Sequence, residues 1–230
     1  STNNYAAKLL LEQKIAHATV ILAEKQTSGR GQRGNEWISK AGSQFTASFY
    51  ISTAFLSVNE LVSFNMSIAL AVQKSLESLL KEAVDIKWPN DLLVRNKKIG
   101  GILIETQFKS GRVEGAIVGI GINIHSENDL PSAISIYDCL GEKLEPMTLL
   151  EQLLPELNRF YALLKNGEFS TIKQEYLSNL WNFGIELTAQ LSDDSTIHGK
   201  IIDVDSEGNL VFQTATQVHA FGIKEIKFTY

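Results

Sequence analysis

Lys87-Trp-Pro-Asn-Asp91 and Lys98-Ile-Gly-Gly-Ile-Leu-Ile-Glu105 form the most informative stretch of this 230-residue chain. Pro89 has no N–H to donate to a sheet and keeps the residue before it extended, so the chain must leave the sheet there. Asn90 and Asp91 then either point into a cavity or bond their own backbone in a polar turn. The second block is an apolar strand, which its two adjacent glycines weaken unless something needs the space. The stretch therefore predicts two strands with lysines and a carboxylate beside them.

The flanking sequence predicts more strands and several helices. A capping box, Ser57-Val-Asn-Glu60, opens a helix that runs to about Lys81 with its apolar residues on one stripe. A second capping box, Thr148-Leu-Leu-Glu151, opens another helical stretch, which Pro155 should kink or break before it resumes to Lys165. Strands are expected over residues 18–23, 45–52, 85–88, 91–94, 99–107 and 113–124, and further helices over residues 5–15 and 170–182.

The pattern changes at Gly184. From there to Tyr230, short runs of alternating apolar residues are separated by Ser192-Asp-Asp-Ser195 and Asp205-Ser-Glu-Gly-Asn209. Such runs are typical of a small β-barrel or β-sandwich. We therefore predict an α+β domain over residues 1–183 and a small all-β domain over residues 184–230.

The composition narrows the class of protein. A hydrophobic content of 44% is enough for a sizeable core without disulfides or structural metals. The net charge of -5 argues against general binding to DNA, which leaves a basic footprint. The single cysteine, Cys139, excludes an internal disulfide and a cysteine-based metal cluster, and a reducing cytoplasm is the simplest compartment. No apolar run approaches the roughly 18 residues of a membrane span.

A glycine-rich cationic loop, Gly29-Arg-Gly-Gln-Arg-Gly34, lies upstream and leads to Trp37. Its glycines allow close approach of backbone N–H groups to an anion, and its arginines add charge-assisted donors. The same loop is also compatible with an exposed basic turn. It matches neither the P-loop pattern nor the dinucleotide fingerprint, since no crossover helix follows. Trp37 either stacks on a nucleobase or belongs to the core.

The segment Gly119-Ile-Gly-Ile-Asn123 is asymmetric. Strand alternation puts the glycines and Asn123 on one face and the isoleucines on the other. One face is thus buried by aliphatic side chains, while the other carries almost none. A flat ligand on the sheet explains this asymmetry, and a bulge or a tightly packed helix is the competing explanation.

Taken together, Gly-Arg-Gly-x-Arg-Gly-x-x-Trp, Lys-Trp-Pro-Asn-Asp, Lys-Ile-Gly-Gly-Ile-Leu-Ile-Glu and Gly-x-Gly-x-Asn resemble the biotin protein ligases in order and spacing. The resemblance implies an α+β fold, with a mixed or antiparallel sheet and helices on one side, as in class II synthetases. It also implies a C-terminal SH3-like β-barrel. Since no DNA-binding helix-turn-helix is visible, we expect a single-function ligase that binds neither DNA nor membrane and that can form a homodimer.

The activity that the resemblance implies has two steps. Biotin and ATP form biotinyl-5′-AMP and diphosphate. The Mg²⁺ comes with ATP, without dedicated metal ligands from the protein. The acyl group then passes to one lysine of a biotin carboxyl carrier protein domain. The alternatives are a lipoate or octanoate protein ligase of the same superfamily and a non-catalytic biotin-binding module.

The resemblance also implies roles for individual residues. Lys98 would be the catalytic cation that bridges the biotin carboxylate and the α-phosphate, and Asp91 would orient or deprotonate the acceptor lysine. Arg33 would lie near the leaving diphosphate, and Trp37 would cover the adenine. The other nucleotide contacts would be Lys87, Asn90 and Asn123. The biotin contacts, besides Lys98, would be Ser1, Thr2, Asn3, Gln26, Gly29, Arg30, Gly31, Gln32, Gly101 and Gly119.

One position departs from the family pattern. The fourth residue of the glycine loop is usually arginine, and here it is Gln32. Glutamine keeps hydrogen-bond donors but loses the charge and the bidentate fork. Retention of the adenylate would then depend more on Arg30 and Arg33.

Overall fold

The computed structural model describes residues 1–37, 41–125 and 131–228. The first part of the chain contains helix α1, strands β1 to β6, and helices α2 to α5, with short 3-10 helices at Gln32–Gly34 and Val58–Glu60. The bounds are α1 Thr2–Leu11, β1 Thr19–Leu22, β2 Gln44–Ser52, α2 Leu61–Leu80, β3 Asp85–Lys87, β4 Asp91–Val94, β5 Lys97–Lys109, β6 Arg112–Asn123, α3 Ile136–Leu140, α4 Pro146–Lys165 and α5 Phe169–Ser178.

Strands β1 to β6 form one antiparallel sheet in the order β1-β2-β6-β5-β4-β3. The tight hairpin between β4 and β5 turns at Arg95 and Asn96, both with positive φ, between the two strands predicted over residues 91–94 and 99–107. In β6 the isoleucines at 120 and 122 are buried in the main core, and the alternate residues face the other side of the sheet. The predicted α+β class with an antiparallel sheet is confirmed.

Helices cover both faces of this sheet, but unequally. The long helices α2 and α4 pack together and share the main apolar cluster with the buried residues of β2 and β6. On the opposite face, α1 packs through Ala6 against Tyr50 and Ile117. The rest of that face carries polar side chains. The capping box at Ser57 is confirmed, with the Ser57 N–H donating to Glu60 Oε2 at 2.7 Å.

Two expectations about the later helices were wrong. Helix α4 begins at Pro146, with this proline in its first turn, rather than at the predicted capping box at Thr148. It also runs as one helix through Pro155. Pro155 is exposed, and the buried residues on either side of it, among them Leu153 and Leu157, are fixed by packing, which outweighs the hydrogen bond that the proline removes. The short helix α3 was not predicted.

The last part of the chain forms a second antiparallel sheet, in the order β10-β9-β8-β7-β11. Its strands are β7 Glu186–Leu191, β8 Thr196–Val204, β9 Leu210–Gln213, β10 Val218–Phe221 and β11 Ile226–Lys227. Apolar residues of this sheet, such as Phe212, belong to the same buried cluster as the first sheet. The division into domains at residue 183 therefore stays a prediction. In the described ranges, no helix combines the length and the apolarity needed to cross a bilayer.

Candidate active site

A cavity of about 450 Å³ opens on the polar face of the first sheet. It lies between that face, the loop of residues 29–37 and the end of the second sheet. Most residues predicted for the site line it: Ser1, Thr2, Asn3, Gln26, Arg30, Gly31, Gln32, Trp37, Lys87, Asn90, Asp91, Lys98, Gly101 and Gly119.

Three predicted residues stand apart from this set. Gly29 and Asn123 do not line the cavity in the described part of the chain. For Arg33 the backbone lies in the 3-10 helix Gln32–Gly34, but its side chain lies outside the described part. Its predicted place beside the diphosphate therefore stays a prediction.

The glycines of β6 leave room for two side chains that come from elsewhere in the chain. A Cβ on Gly121 would lie 2.6 Å from the Trp37 indole, and a Cβ on Gly119 would lie 2.5 Å from Asn3 Oδ1. The face of β6 that carries these glycines is thus partly covered by Trp37 of the loop and by Asn3 of the first turn of α1. Of the two explanations that the sequence left open, tight packing accounts for these two glycines.

Lys98 and Asp91 form an ion pair at the cavity wall, with Lys98 Nζ 2.6 Å from Asp91 Oδ1. The two strands that carry them pair with a register shift, and Gly101 lies opposite Asp91. Both charged groups lie beside Gly101: a Cβ there would be in ordinary contact, 3.5 Å from Asp91 Oδ1 and 3.6 Å from Lys98 Cε. Lys98 Nζ is also 5.7 Å from the centre of the Trp37 ring, within the range of a cation–π contact.

Lys87 is a second cation of the site. Burial lowers its pKa from 10.5 to about 8; Asp91 opposes this shift, and the nearby ammonium groups of Lys98 and Lys227 add to it. Its Nζ lies 5.7 Å from the centre of the Trp181 ring. Three lysines thus converge from β3, β5 and β11, and a bound anion would relieve their mutual repulsion.

Hydrogen bonds hold the N-terminal residues against the sheet and against Gln26, which lies between β1 and the loop. The backbone N–H of Thr2 donates to Gln26 Oε1 at 2.8 Å, and Ser48 Oγ lies 2.7 Å from Thr2 Oγ1. Asn3 is 2% exposed, and its side-chain amide donates to Glu105 Oε2 at 2.7 Å. The predicted biotin contacts from the first residues and from Gln26 are therefore positioned together.

The two predicted asparagines have mainly structural contacts. Asn90 lines the cavity, but its side-chain amide donates to the Ile102 carbonyl at 2.7 Å and its backbone carbonyl accepts from the Ile102 N–H at 2.9 Å. Asn123 is 5% exposed, and its amide donates to the Ile134 carbonyl at 3.1 Å. Its oxygen accepts from Gln44, whose own Oε1 accepts from the Trp37 indole at 3.1 Å. Asn123 thus supports the tryptophan from behind.

Sequence reasoning missed the contribution of the second sheet. Ile223, Lys224, Ile226, Lys227 and Phe228 line the cavity, and Trp88 Nε1 donates across to the Gly208 carbonyl at 3.0 Å. These residues are far from the loop in sequence and carry no motif of their own. Their position is a consequence of tertiary packing, which no local pattern in the sequence could have predicted.

Known proteins share this chain's sequence and fold. A sequence profile of the biotin/lipoate A/B protein ligase family matches residues 1–123, which is more than half of the chain. The bifunctional ligase/repressor BirA of Bacillus subtilis (strain 168) is 30% identical over 232 residues, which cover 98% of this chain and 69% of that protein. The biotin--[acetyl-CoA-carboxylase] ligase of Paracoccus denitrificans is 30% identical over 222 residues, or 93% of this chain and 90% of that protein.

The fold has counterparts among solved structures. The biotin protein ligase from Aquifex aeolicus in complex with biotin and ATP superposes with a TM-score of 0.78 at 24% identity, covering 99% of this chain and 94% of that one. At this identity the likeness is one of fold. The profile match and the two relatives, which agree with the motifs around Lys98 and the glycine loop, show that the chain belongs to the biotin/lipoate A/B protein ligase family.

Proposed function

We propose that this chain is an ATP-dependent biotin protein ligase. It would join biotin to ATP as biotinyl-5′-AMP with release of diphosphate, and would then transfer the biotinyl group to a lysine of a biotin carboxyl carrier protein domain. The name of the Paracoccus denitrificans relative, a biotin--[acetyl-CoA-carboxylase] ligase that is 30% identical to this chain, supports biotin as the acid. The cavity beside the Lys98–Asp91 pair supports an activation reaction.

The observation that carries the proposal is the position of the Lys98 ammonium in a wall that Lys87 and Lys227 also line. In the first step an anion must approach an anion. Two unit charges 4 Å apart repel by about 4 kcal/mol at an effective dielectric near 20. Fixed cations reduce this repulsion before the reaction begins and need no rearrangement in the transition state.

In the first step a biotin carboxylate oxygen attacks the α-phosphorus, and the bond from that phosphorus to the diphosphate oxygen breaks. Lys98 would leave Asp91 to bridge the attacking carboxylate and the α-phosphate, and Lys87 would hold the triphosphate. Trp37, supported on Gly121, would cover the adenine. Mg²⁺ would enter with ATP as part of the substrate.

In the second step the amine of the acceptor lysine attacks the acyl carbon of the mixed anhydride, and AMP leaves. The amine must lose a proton to react. Once Lys98 has turned to the ligand, Asp91 would have a carboxylate oxygen available to orient the amine or to accept its proton. Lys98 would thus act in the first step and Asp91 in the second.

The test is an incubation of the purified chain with ATP and either biotin, lipoate or octanoate. Exchange of pyrophosphate into ATP that depends on the added biotin, lipoate or octanoate reports the first step. Labelling of a carrier domain reports the second step. The proposal predicts exchange and labelling with biotin alone. Exchange with lipoate or octanoate instead would favour a lipoate or octanoate protein ligase. Biotin binding without exchange would show a non-catalytic biotin-binding module.

A further inference from the structure

Trp181, in the segment that follows helix α5, contacts one of the cations of the site from behind the cavity wall. The Nζ of Lys87 lies 5.7 Å from the centre of the Trp181 ring. Lys87 is among the described residues that line the cavity, and Trp181 is not. Trp181 can therefore influence a ligand in the cavity through Lys87 rather than by direct contact.

The backbone of Trp181 is fixed to the strand that carries this lysine. The Ile86 N–H donates to the Asn179 carbonyl, and the Trp181 N–H donates to the Ile86 carbonyl, both at 2.9 Å. Ile86 and Leu180 thus pair as a parallel bridge beside β3. Because Ile86 directly precedes Lys87, backbone pairing sets the separation between the lysine and the tryptophan.

Two further contacts fix the plane of the indole. Its Nε1 donates to Asn96 Oδ1 at 3.0 Å, in the turn between β4 and β5. Phe228, which follows β11, contacts the ring edge to face, with 5.9 Å between the ring centres and 63° between the planes. Trp181 is buried. A buried ring that is held at its edge keeps a constant face toward Lys87.

The charged groups around Lys87 make an indole face useful at this place. Asp91 on β4 favours the ammonium form, whereas burial and the ammonium groups of Lys98 on β5 and Lys227 on β11 disfavour it. The face of an indole attracts a cation through the ring quadrupole and leaves its charge in place. A carboxylate there would also stabilise the ammonium, but it would repel the phosphates of ATP.

We propose that Trp181 is a positioning residue, which holds the charged Lys87 ammonium at the cavity wall and thereby supports binding of the triphosphate. The inference rests on the proposed function for this consequence but not for the contact itself. Since Trp181 acts through Lys87, a change of its ring should alter the titration of that lysine. A purely structural role would alter the stability of the fold and leave the titration unchanged.

The direct test titrates Lys87 in the ligand-free protein. The ¹³Cε resonance of Lys87, assigned by its loss in Lys87→Arg, is followed in the wild type and in Trp181→Leu as the pH is raised through 8. Trp181→Leu keeps an apolar side chain but removes the ring, so the midpoint should fall by about 0.5 pH unit. An unchanged or higher midpoint would overturn the proposal.

Ring-fluorinated tryptophan keeps the test valid if Trp181→Leu folds poorly. Fluorine weakens the negative potential of the ring face with little change of shape, so its incorporation should lower the Lys87 midpoint of the wild type. The midpoint in Trp181→Phe should not respond, although Trp37 and Trp88 still carry the label. An equal response in both proteins would assign the effect to another tryptophan, and no response in the wild type would contradict the cation–π contact.

Leu180→Ala is the matched control. Leu180 precedes Trp181 in the same segment, is buried, and does not belong to the described lining of the cavity. Its truncation should lower the free energy of unfolding through lost packing, with the Lys87 midpoint unchanged. A midpoint as low as that of Trp181→Leu would show that loosening of the segment, rather than loss of the ring, is responsible, and would overturn the proposal.

The functional test measures ATP affinity on either side of the midpoint. The loss of affinity in Trp181→Leu should be about threefold larger at about pH 9 than at about pH 6.5, while biotin affinity matches the wild type at both. An equal loss at both pH values would indicate a structural role and contradict the proposal. If the wild type does not bind ATP, the proposed function fails, whereas the titration of the ligand-free protein still decides the role of Trp181.

Discussion

At the scale of single residues, the charged contacts of the site join side chains from different strands and from the glycine loop. Lys98 and Asp91 were both predicted for the site, and they lie 2.6 Å apart. The motif could not reveal that they contact each other, because pairing across β4 and β5 depends on a register shift. Nor could it reveal that Arg30 binds Glu105, since the two are separated by 75 positions.

The lowered pKa of Lys87 predicts a pH dependence of nucleotide binding. Below pH 8 the amine is protonated and can pair with phosphate; as the pH rises through about 8, the unliganded protein loses this charge. Affinity for ATP should therefore be constant below this value and should fall above it. Titration calorimetry with ATP between pH 7 and pH 9.5 measures the effect.

The matched variant for this measurement is Lys87→Arg. Arginine remains protonated over the whole range, so the decrease in affinity above pH 8 should disappear. The stability of the unliganded wild type should rise over the same window, because the unfolded chain, with its lysine pKa of 10.5, binds more protons there than the folded one. A decrease in ATP affinity that persists in Lys87→Arg would assign the titration to another group.

At the scale of secondary structure, the strands and the first long helix could be predicted because their signals are local. Alternation and the turn at Arg95 and Asn96 place β4 and β5, and the capping box at Ser57 places the 3-10 helix Val58–Glu60 that leads directly into α2. The start of α4 was misplaced because the second capping box was preferred to Pro146, which suits the first turn of a helix, whereas the run through Pro155 depends on packing of the buried stripe.

Helix α4 gives a stability prediction. Pro155 is exposed inside the helix and removes one backbone hydrogen bond. Pro155→Ala should restore the bond to the carbonyl one turn earlier and raise the free energy of unfolding by about 1–2 kcal/mol, less than the full proline penalty because the unfolded chain also gains freedom. Urea unfolding measures it, and an unchanged or lower midpoint would show that the helix is already adapted to proline.

Strand β6 gives a prediction about binding. Gly121→Ala places a methyl group 2.6 Å from the Trp37 indole and should displace the ring, which weakens ATP binding by about tenfold with less effect on biotin. Gly115→Ala is the control on the same strand. It clashes with Tyr50 at 2.8 Å away from the cavity, so it should lower stability and leave both affinities unchanged. Equal losses of ATP affinity in both variants would mean that strand distortion, not the tryptophan, is responsible.

At the scale of the whole molecule, the two sheets share one apolar cluster and close one cavity. The sequence indicated a change of pattern at Gly184 but not this continuity, because residues such as Phe212 and Phe228 reach the core only through tertiary packing. Thermal unfolding should therefore occur in one cooperative transition, with calorimetric and van't Hoff enthalpies that agree. Two separate transitions would show that residues 184–230 unfold as an independent unit.

Lys98 gives the most direct test of the proposed chemistry. Biotin-dependent pyrophosphate exchange is measured in Lys98→Ala beside Lys97→Ala, which removes the exposed lysine next to it. Lys98→Ala should form no measurable adenylate while biotin affinity stays within about tenfold, or 1.4 kcal/mol, and Lys97→Ala should match the wild type. Adenylate formation by Lys98→Ala at a rate near that of the wild type would contradict a catalytic cation at this position.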